Sequence, residues 1–400
     1  MTRLLVLALA LVAQGLTADW PQVLGPGRNG VYSGPPLSEA WGANGPRVVW
    51  RRSIGQGLSG PVVAGNRVIL FHRVADREIV EAIDAVSGKT QWQYGYPTSY
   101  RDDFGFDEGP RAVPVVANGV VYTFGAEGQL HAVDLASGKQ IWSVDTQRRF
   151  SVPKGFFGAA GSPLVEDGRV IANIGGAKAG IVAFEAKTGK VLWTATDDAA
   201  SYSSGIGVTI AGRRYAVFLT RNGLAGLDPG DGQVRFQRPW RARQAASVNA
   251  ATPVINGDMI FLSAEYGPGA GVLRFDGTKL TEVWASDEAL SSHYATSVYA
   301  AGDGRVSPHR CREDLGARDR RESIGRRARE DQLTILPEDQ QPVAGQRDAS
   351  GAESILAPAD FAGLEFHCAE TLAELLPSVK TVKISARIHA GRVVIREHFV

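Results

Sequence analysis

The chain has 400 residues, with 43 Lys and Arg against 42 Asp and Glu, for a formal net charge of +1. This near-neutral balance gives no support for a nucleic-acid partner, and 44% hydrophobic residues are enough to bury a core. Gly (47) and Pro (20) are frequent without a collagen-like period, which suits many short strands joined by turns.

Arg3 followed by the apolar run LLVLALALV at 4–12 reads as an export signal over residues 1–18, with Ala13, Gly15 and Ala18 as small residues for cleavage. The alternative is a buried strand or short helix. The run is too short to span a bilayer. The expected mature chain is therefore exported, periplasmic or extracellular, and has no transmembrane segment. Next, GPGRNG at 25–30 matches G-x-G-x-x-G, but no strand precedes it and no helical pattern follows. A turn at the mature N-terminus is the better reading than a dinucleotide site.

PRVVWRRS at 46–53 looks like the last strand of a repeat unit without its partners. The units themselves begin just beyond. AIDAVSGKTQW (82–92), AVDLASGKQIW (132–142) and AFEAKTGKVLW (183–193) write one phrase three times. An acid opens it (Asp84, Asp134, Glu185), a glycine turns it (Gly88, Gly138, Gly189) and an indole closes it (Trp92, Trp142, Trp193). Gly supplies the positive φ of a tight hairpin, the acid accepts hydrogen bonds from the turn amides, and Trp is a stiff apolar filler. Looser copies follow: Asp228, Gly232 and Phe236, then Asp276 and Trp284 with the turn reset.

A second hairpin phrase interleaves with the first, as in GPVVAGNRVILF (60–71) and VPVVANGVVYTF (113–124). Each unit thus holds four short strands in about 45–50 residues, the size of a propeller blade. A blade cannot bury both faces of its sheet alone, so neighbours must stack around an axis. The 46–53 strand is then predicted to be the outer strand of the final blade, with Trp50 as its latching aromatic. The predicted fold class is all-β: a β-propeller of four-stranded blades with about five complete blades legible, a truncated or incomplete ring, and a non-repeat C-terminal tail.

Two loops draw attention. YRDDFGFDEGPR at 100–111 holds Asp102, Asp103, Asp107 and Glu108, which could bind Ca²⁺ through hard oxygen ligands or pair with Arg101 and Arg111. RPWRARQ at 238–244 sets three Arg around Trp240, either a clamp for an anionic ligand or a plain surface loop. His72, His131 and His293 are scattered, and neither H-E-x-x-H nor G-x-S-x-G occurs. No metal site and no catalytic residue are expected.

The repeat stops near residue 300. A sixth blade opens with YATSVY at 294–299, and no Trp or Tyr follows. Residues 301–356 form an Arg-rich segment predicted to be disordered, with nine Arg between 305 and 331. Residues 357–400 combine helical spacing at 357–376 with a hairpin pattern around Ala390 and Gly391. Three origins stay open for the tail: an appended domain, divergent blades, or out-of-frame sequence. Cys311 and Cys368 both lie in it, and their pairing cannot be read from sequence.

The phrase carried by Asp84, Gly88 and Trp92 and its copies resembles the PQQ-like (pyrroloquinoline-quinone enzyme-like) β-propeller repeat family. The opening DWPQVLGPGRNGVYSG at 19–34 is similar to the start of its exported bacterial BamB-like branch. The resemblance spans about 19–300. It implies a non-catalytic scaffold that binds envelope proteins or a ligand, in the manner of the propeller subunit of the outer-membrane β-barrel assembly machinery. The alternative it implies is a quinone-dependent dehydrogenase for alcohols or sugars, with PQQ and Ca²⁺ in the ring centre. The family's enzymes also carry there a catalytic Asp and commonly a disulfide between adjacent Cys. The repeat region here has no Cys, and no Asp matches by motif. No cofactor is therefore expected under the scaffold reading.

Overall fold

The computed structural model describes residues 19–34, 48–244, 248–287 and 290–300, together with the backbone of four strands beyond residue 300. The signal-like run, both cysteines and the helical spacing at 357–376 lie outside the described residues, as does the Arg-rich segment apart from two short strands.

The chain opens with β1 (Val48–Ser53) and then builds five antiparallel four-stranded sheets in sequence order. Blade 1 is β2 (Val62–Ala64), β3 (Arg67–Val74), β4 (Arg77–Asp84) and β5 (Thr90–Pro97). Blade 2 is β6 (Val115–Ala117), β7 (Val120–Phe124), β8 (Gln129–Asp134) and β9 (Gln140–Asp145), followed by the one-turn helix α1 (Thr146–Arg149). Blade 3 is β10 (Leu164–Glu166), β11 (Arg169–Gly176), β12 (Ala179–Glu185) and β13 (Val191–Ala195). Blade 4 is β14 (Ile206–Ile210), β15 (Arg213–Leu219), β16 (Gly223–Leu227) and β17 (Val234–Pro239). Blade 5 is β18 (Val254–Asn256), β19 (Met259–Ala264), β20 (Gly269–Phe275) and β21 (Leu280–Ser286).

First strands face the axis: β2 meets β6, β6 meets β10, and β10 meets β14. A chain of hydroxyls ties their leading ends together. Val113 N donates to Ser162 Oγ (2.9 Å), Ser162 N to Ser204 Oγ (3.1 Å), Ser204 N to Thr252 Oγ1 (3.3 Å) and Thr252 N to Thr296 Oγ1 (3.0 Å). Each residue stands two before the first strand of its own unit. Buried backbone donors need partners, and here every unit satisfies the one before it.

The core sits at the seams between sheets. Val62, Ile69, Phe71, Val121 and Val133 fill the seam of blades 1 and 2. Ala132, Trp142, Val170 and Phe184 fill that of blades 2 and 3. The docking of each indole explains the recurring phrase. Trp92 packs on Gly138, Trp142 on Gly189 and Trp193 on Gly232, each glycine belonging to the next blade. Their indole N–H groups donate to Leu135 O (3.0 Å), Ala186 O (2.9 Å) and Pro229 O (3.1 Å). The acceptor carbonyl always lies on the residue after the acid. Gly189 has φ +72°, and a Cβ there would lie 2.8 Å from the Trp142 ring, so the position needs glycine twice over.

The seam of blades 4 and 5 departs from the rule at both partners. Phe236 replaces the indole and lies over Gly226 of its own blade and against Phe275 (centroids 4.2 Å apart). The receiving turn is shorter: Asp276 N reaches Lys279 O, where Asp228 N reaches Gln233 O one blade earlier. The glycine platform and the N–H donor vanish together.

Trp50 behaves as the latch predicted. Its ring covers Gly88 of blade 1 and its N–H donates to Ala85 O (3.0 Å). The strand bearing it, β1, pairs with β25 (Val382–His389), which pairs with β26 (Arg392–Phe399). In the blades the chain runs from the axis outward; in this sheet it runs from β1's neighbour away from β1, the reverse sense. A sixth sheet contains β22 (Val298–Ala300), β23 (Arg305–Ser307) and β24 (Leu333–Thr334). Strand pairing thus reaches into the segment expected to be disordered: β23 pairs antiparallel with β22, and β24 with β23.

Candidate interaction face and ring axis

Antiparallel strands put the connections between blades, and the turns between second and third strands, on one face of the blade array. Three successive connections meet there. From the first, Phe104 and Phe106 are 51% and 55% exposed; from the second, Phe156 is 42% exposed. Their rings cluster around Phe157, with Phe104 at 5.1 Å and Phe106 at 6.3 Å between centroids, and Phe104 to Phe156 at 6.4 Å. Tyr202, from the third connection, backs Phe157 edge-on at 5.7 Å and accepts a hydrogen bond from Phe157 N (2.7 Å).

The acids of 100–111 hold this loop. Asp102 accepts from Phe104 N (2.7 Å) and Gly105 N (3.1 Å) and pairs with buried Arg111 (2.5 Å). Arg111 also donates to Asp107 O (2.7 Å) and lies 5.3 Å over the Tyr100 ring. Asp103 pairs with Lys154 of the next connection. Asp107 accepts from Gly109 N (2.7 Å) and Gly57 N (3.2 Å), and burial pushes its carboxyl up. Glu108 lies near Arg101 (3.4 Å) and Arg73 (3.6 Å). The four carboxylates therefore go to separate partners, and no group of three or more His, Cys, Asp or Glu suited to a metal occurs among the described residues. Arg101 and Arg111 are thus partners of Glu108 and Asp102.

Trp240 does not stand on the surface. It is 7% exposed and packs with Tyr215, Phe236 and Phe275 in the seam of blades 4 and 5. Two hydrogen bonds of its backbone draw it in: its main-chain N–H donates to Asn222 O (3.0 Å) and its carbonyl accepts from Asn249 Nδ2 (2.7 Å). The surrounding arginines take separate partners, Arg238 with Glu282, Arg241 with Asn222 and Arg243 with Asp287, yet all three line one open cavity beside Trp240. A clamp with a free indole face is not what the geometry presents. The residues that the loop does present, Phe104, Phe106 and Phe156, were not singled out from sequence. The signal was there: FGF (104–106) and GFFG (155–158) put aromatics beside glycines at the same phase of consecutive blades.

The acids of the repeat, Asp84, Asp134 and Glu185, cap their own turns. Asp84 accepts from Ser87 N (2.7 Å), Asp134 from Ser137 N (2.8 Å) and Glu185 from Thr188 Oγ1. The Ser87 amide and hydroxyl hold Asp84 below its usual pKa. Trp284 packs beside Tyr299 in the seam with the sixth sheet.

Between blades 1 and 2, His131 is 4% exposed, stacks on Tyr96 at 4.0 Å and has Tyr94 Oη 2.9 Å from Nδ1. Burial lowers its pKa to about 4. The unfolded chain takes up this proton near the ordinary value of 6.5 and the folded chain does not. Stability therefore falls as pH drops from about 6.5 to about 4, by about 3 kcal/mol for a shift of this size. Urea melts at pH 7 and pH 4.5 should show this loss, and His131→Phe should reduce it.

The comparisons with known proteins agree with this architecture. A family model described as outer membrane protein assembly factor BamB matches residues 13–104 and 76–320. The chain belongs to this PQQ-like repeat family. The match runs past residue 300, where the legible repeat ends. Within curated relatives, the outer membrane protein assembly factor BamB of Burkholderia pseudomallei is 23% identical over 275 residues, 58% of this chain and 69% of that protein. Quinohemoprotein alcohol dehydrogenase ADH-IIG of Pseudomonas putida is 34% identical over 147 residues, 34% of this chain. The chain spans about a fifth (20%) of that dehydrogenase. The solved structure of the same dehydrogenase superposes with a TM-score of 0.50 at 16% identity, over 73% of this chain and 57% of that one, a likeness of fold. No described helix is long and apolar enough to cross a membrane.

The family's enzymes imply a quinone and Ca²⁺ on the ring axis. Inner strands β2, β6 and β10 present Val62, Val63, Ala64, Val115, Val116, Ala117, Leu164 and Val165, a largely apolar wall whose one carboxylate, Glu166, is paired with Arg214 (2.8 Å). Residues 19–30 of this chain pack against that wall. The residues present do not fit the pair.

Proposed function

We propose that the protein is an exported, non-catalytic propeller that docks envelope proteins in the assembly of outer-membrane proteins. The observation that carries this reading is the phenylalanine cluster: three exposed rings from two connections, buttressed by a third. Clustered exposed aromatics on rigid loops are what protein interfaces bury. Relatedness to the BamB family supports the envelope setting. Site-specific photo-crosslinking from position 106 in growing cells tests it. Adducts with outer-membrane assembly components are expected; a face that yields only the uncrosslinked chain would remove the reading.

A second reading, quinone-dependent oxidation of alcohols or sugars, is favoured by the 34% identity to the P. putida dehydrogenase. Dye reduction after reconstitution with PQQ and Ca²⁺ separates the two. No turnover is expected, given the apolar wall of the axis.

A further inference from the structure

The segment 19–30 is absorbed by neither reading, yet it touches five of the sheets. Asp19 Oδ1 accepts from Gly65 N of blade 1 (2.8 Å). Trp20 exchanges both backbone hydrogen bonds with Val63 of β2 (3.0 and 2.9 Å). Pro21 O accepts from Val116 N of β6 (2.8 Å). Gly30 lies so close to Val298 of the sixth sheet that a Cβ would come within 2.9 Å of Cγ2. These contacts follow one another from inner strand to inner strand.

Arg28 completes the span. It is 3% exposed, and its guanidinium donates to Gly205 O (2.6 Å), at the entry to blade 4, and to Pro163 O, at the entry to blade 3. Those carbonyls stand directly after Ser162 and Ser204, two members of the hydroxyl chain. Nε donates to Gln22 Oε1 (2.9 Å), which holds the head in place. Burial lowers its pKa to about 9, against the opposing field of Glu166, which itself bonds Arg214. The segment also folds on itself: the Trp20 ring covers Gly25, whose φ of +78° and lack of Cβ both serve that contact.

We propose that residues 19–30 are the propeller's own axial occupant, a staple in which Arg28 bridges blades 3 and 4 through their carbonyls and closes the axis to any cofactor. The buried cation is held by two backbone carbonyls and the Gln22 amide oxygen, with the Glu166 charge nearby, acceptors that must converge in fixed geometry to offset its desolvation. Removing it leaves two buried carbonyls without partners. The staple does not depend on the phenylalanine face, so its failure and the failure of the docking reading are separable.

Hydrogen–deuterium exchange of the full chain tests it. In Arg28→Met, amides at 164–166 and 206–208 should exchange at least about tenfold faster, while those of β5, remote from the staple, keep their rate. Arg28→Lys retains the charge and one bridging contact, and should fall between; it also serves if the methionine variant does not fold. Equilibrium dialysis of the wild type against PQQ with Ca²⁺ to about 100 µM should show no saturable uptake. Unchanged exchange at 164–166 and 206–208 in both variants would overturn the staple. Stoichiometric quinone uptake by the wild type would overturn the closure of the axis.

Discussion

Trp142→Ala is expected to cost about 3–5 kcal/mol of folding stability, the range for emptying a large aromatic site in a packed core. Trp142 is 7% exposed, and its ring fills the space between blades 2 and 3 with Phe184, Val182 and Tyr122 around it. The substitution also removes one of the two hydrogen bonds to Ala186 O, that from the indole (2.9 Å), and leaves the longer one from Tyr122 Oη (3.2 Å). Trp50→Ala should cost less, because its side chain is only partly buried. Gly189→Ala probes the same seam from the other side, where the strain of φ +72° adds to the collision with the ring. Chemical denaturation of the three variants checks the order: Trp142→Ala well below wild type, with Trp50→Ala between them. Equal, small losses for both indoles would mean that the seams are not held by these docks.

The triple variant Phe104→Ser, Phe106→Ser, Phe156→Ser should fold with a melting temperature close to the wild type and lose partner binding on the order of 100-fold. The three rings are 42–55% exposed, so little burial is surrendered in the free protein. Bound to a partner, each ring would be sealed from water, and aromatic anchors dominate such interfaces. Surface plasmon resonance against the component trapped by crosslinking measures the change. Binding that survives all three substitutions would place the interface elsewhere.

The fold was legible in the sequence because blade geometry repeats and so must its chemistry. A turn that needs positive φ at Gly88, Gly138 and Gly189, and a gap that needs an indole at Trp92, Trp142 and Trp193, write themselves at fixed intervals. The latch at Trp50 could be inferred from the same rule. The functional face was less legible. Phe104 and Phe156 belong to different units and meet only because successive connections emerge on one side of the array. The acids beside them attracted notice as ligands, yet Asp102 and Asp103 are committed to Arg111 and Lys154, the latter 51 residues downstream. The role of Arg28 was hidden for a similar reason: its acceptors lie 135 and 177 residues away and are backbone carbonyls, which carry no sequence signature.

The substitution of Phe236 for tryptophan has a thermal corollary. Its neighbours Trp92, Trp142 and Trp193 each add a directional bond to the aromatic contact between sheets, whereas the contact of Phe236, Phe275 and Tyr215 has none, and the ion pair Arg238–Glu282 at this joint is exposed. Apolar association weakens on cooling, while a hydrogen bond does not lose strength in that way. Chilled toward freezing, the molecule should part first between its fourth and fifth leaves.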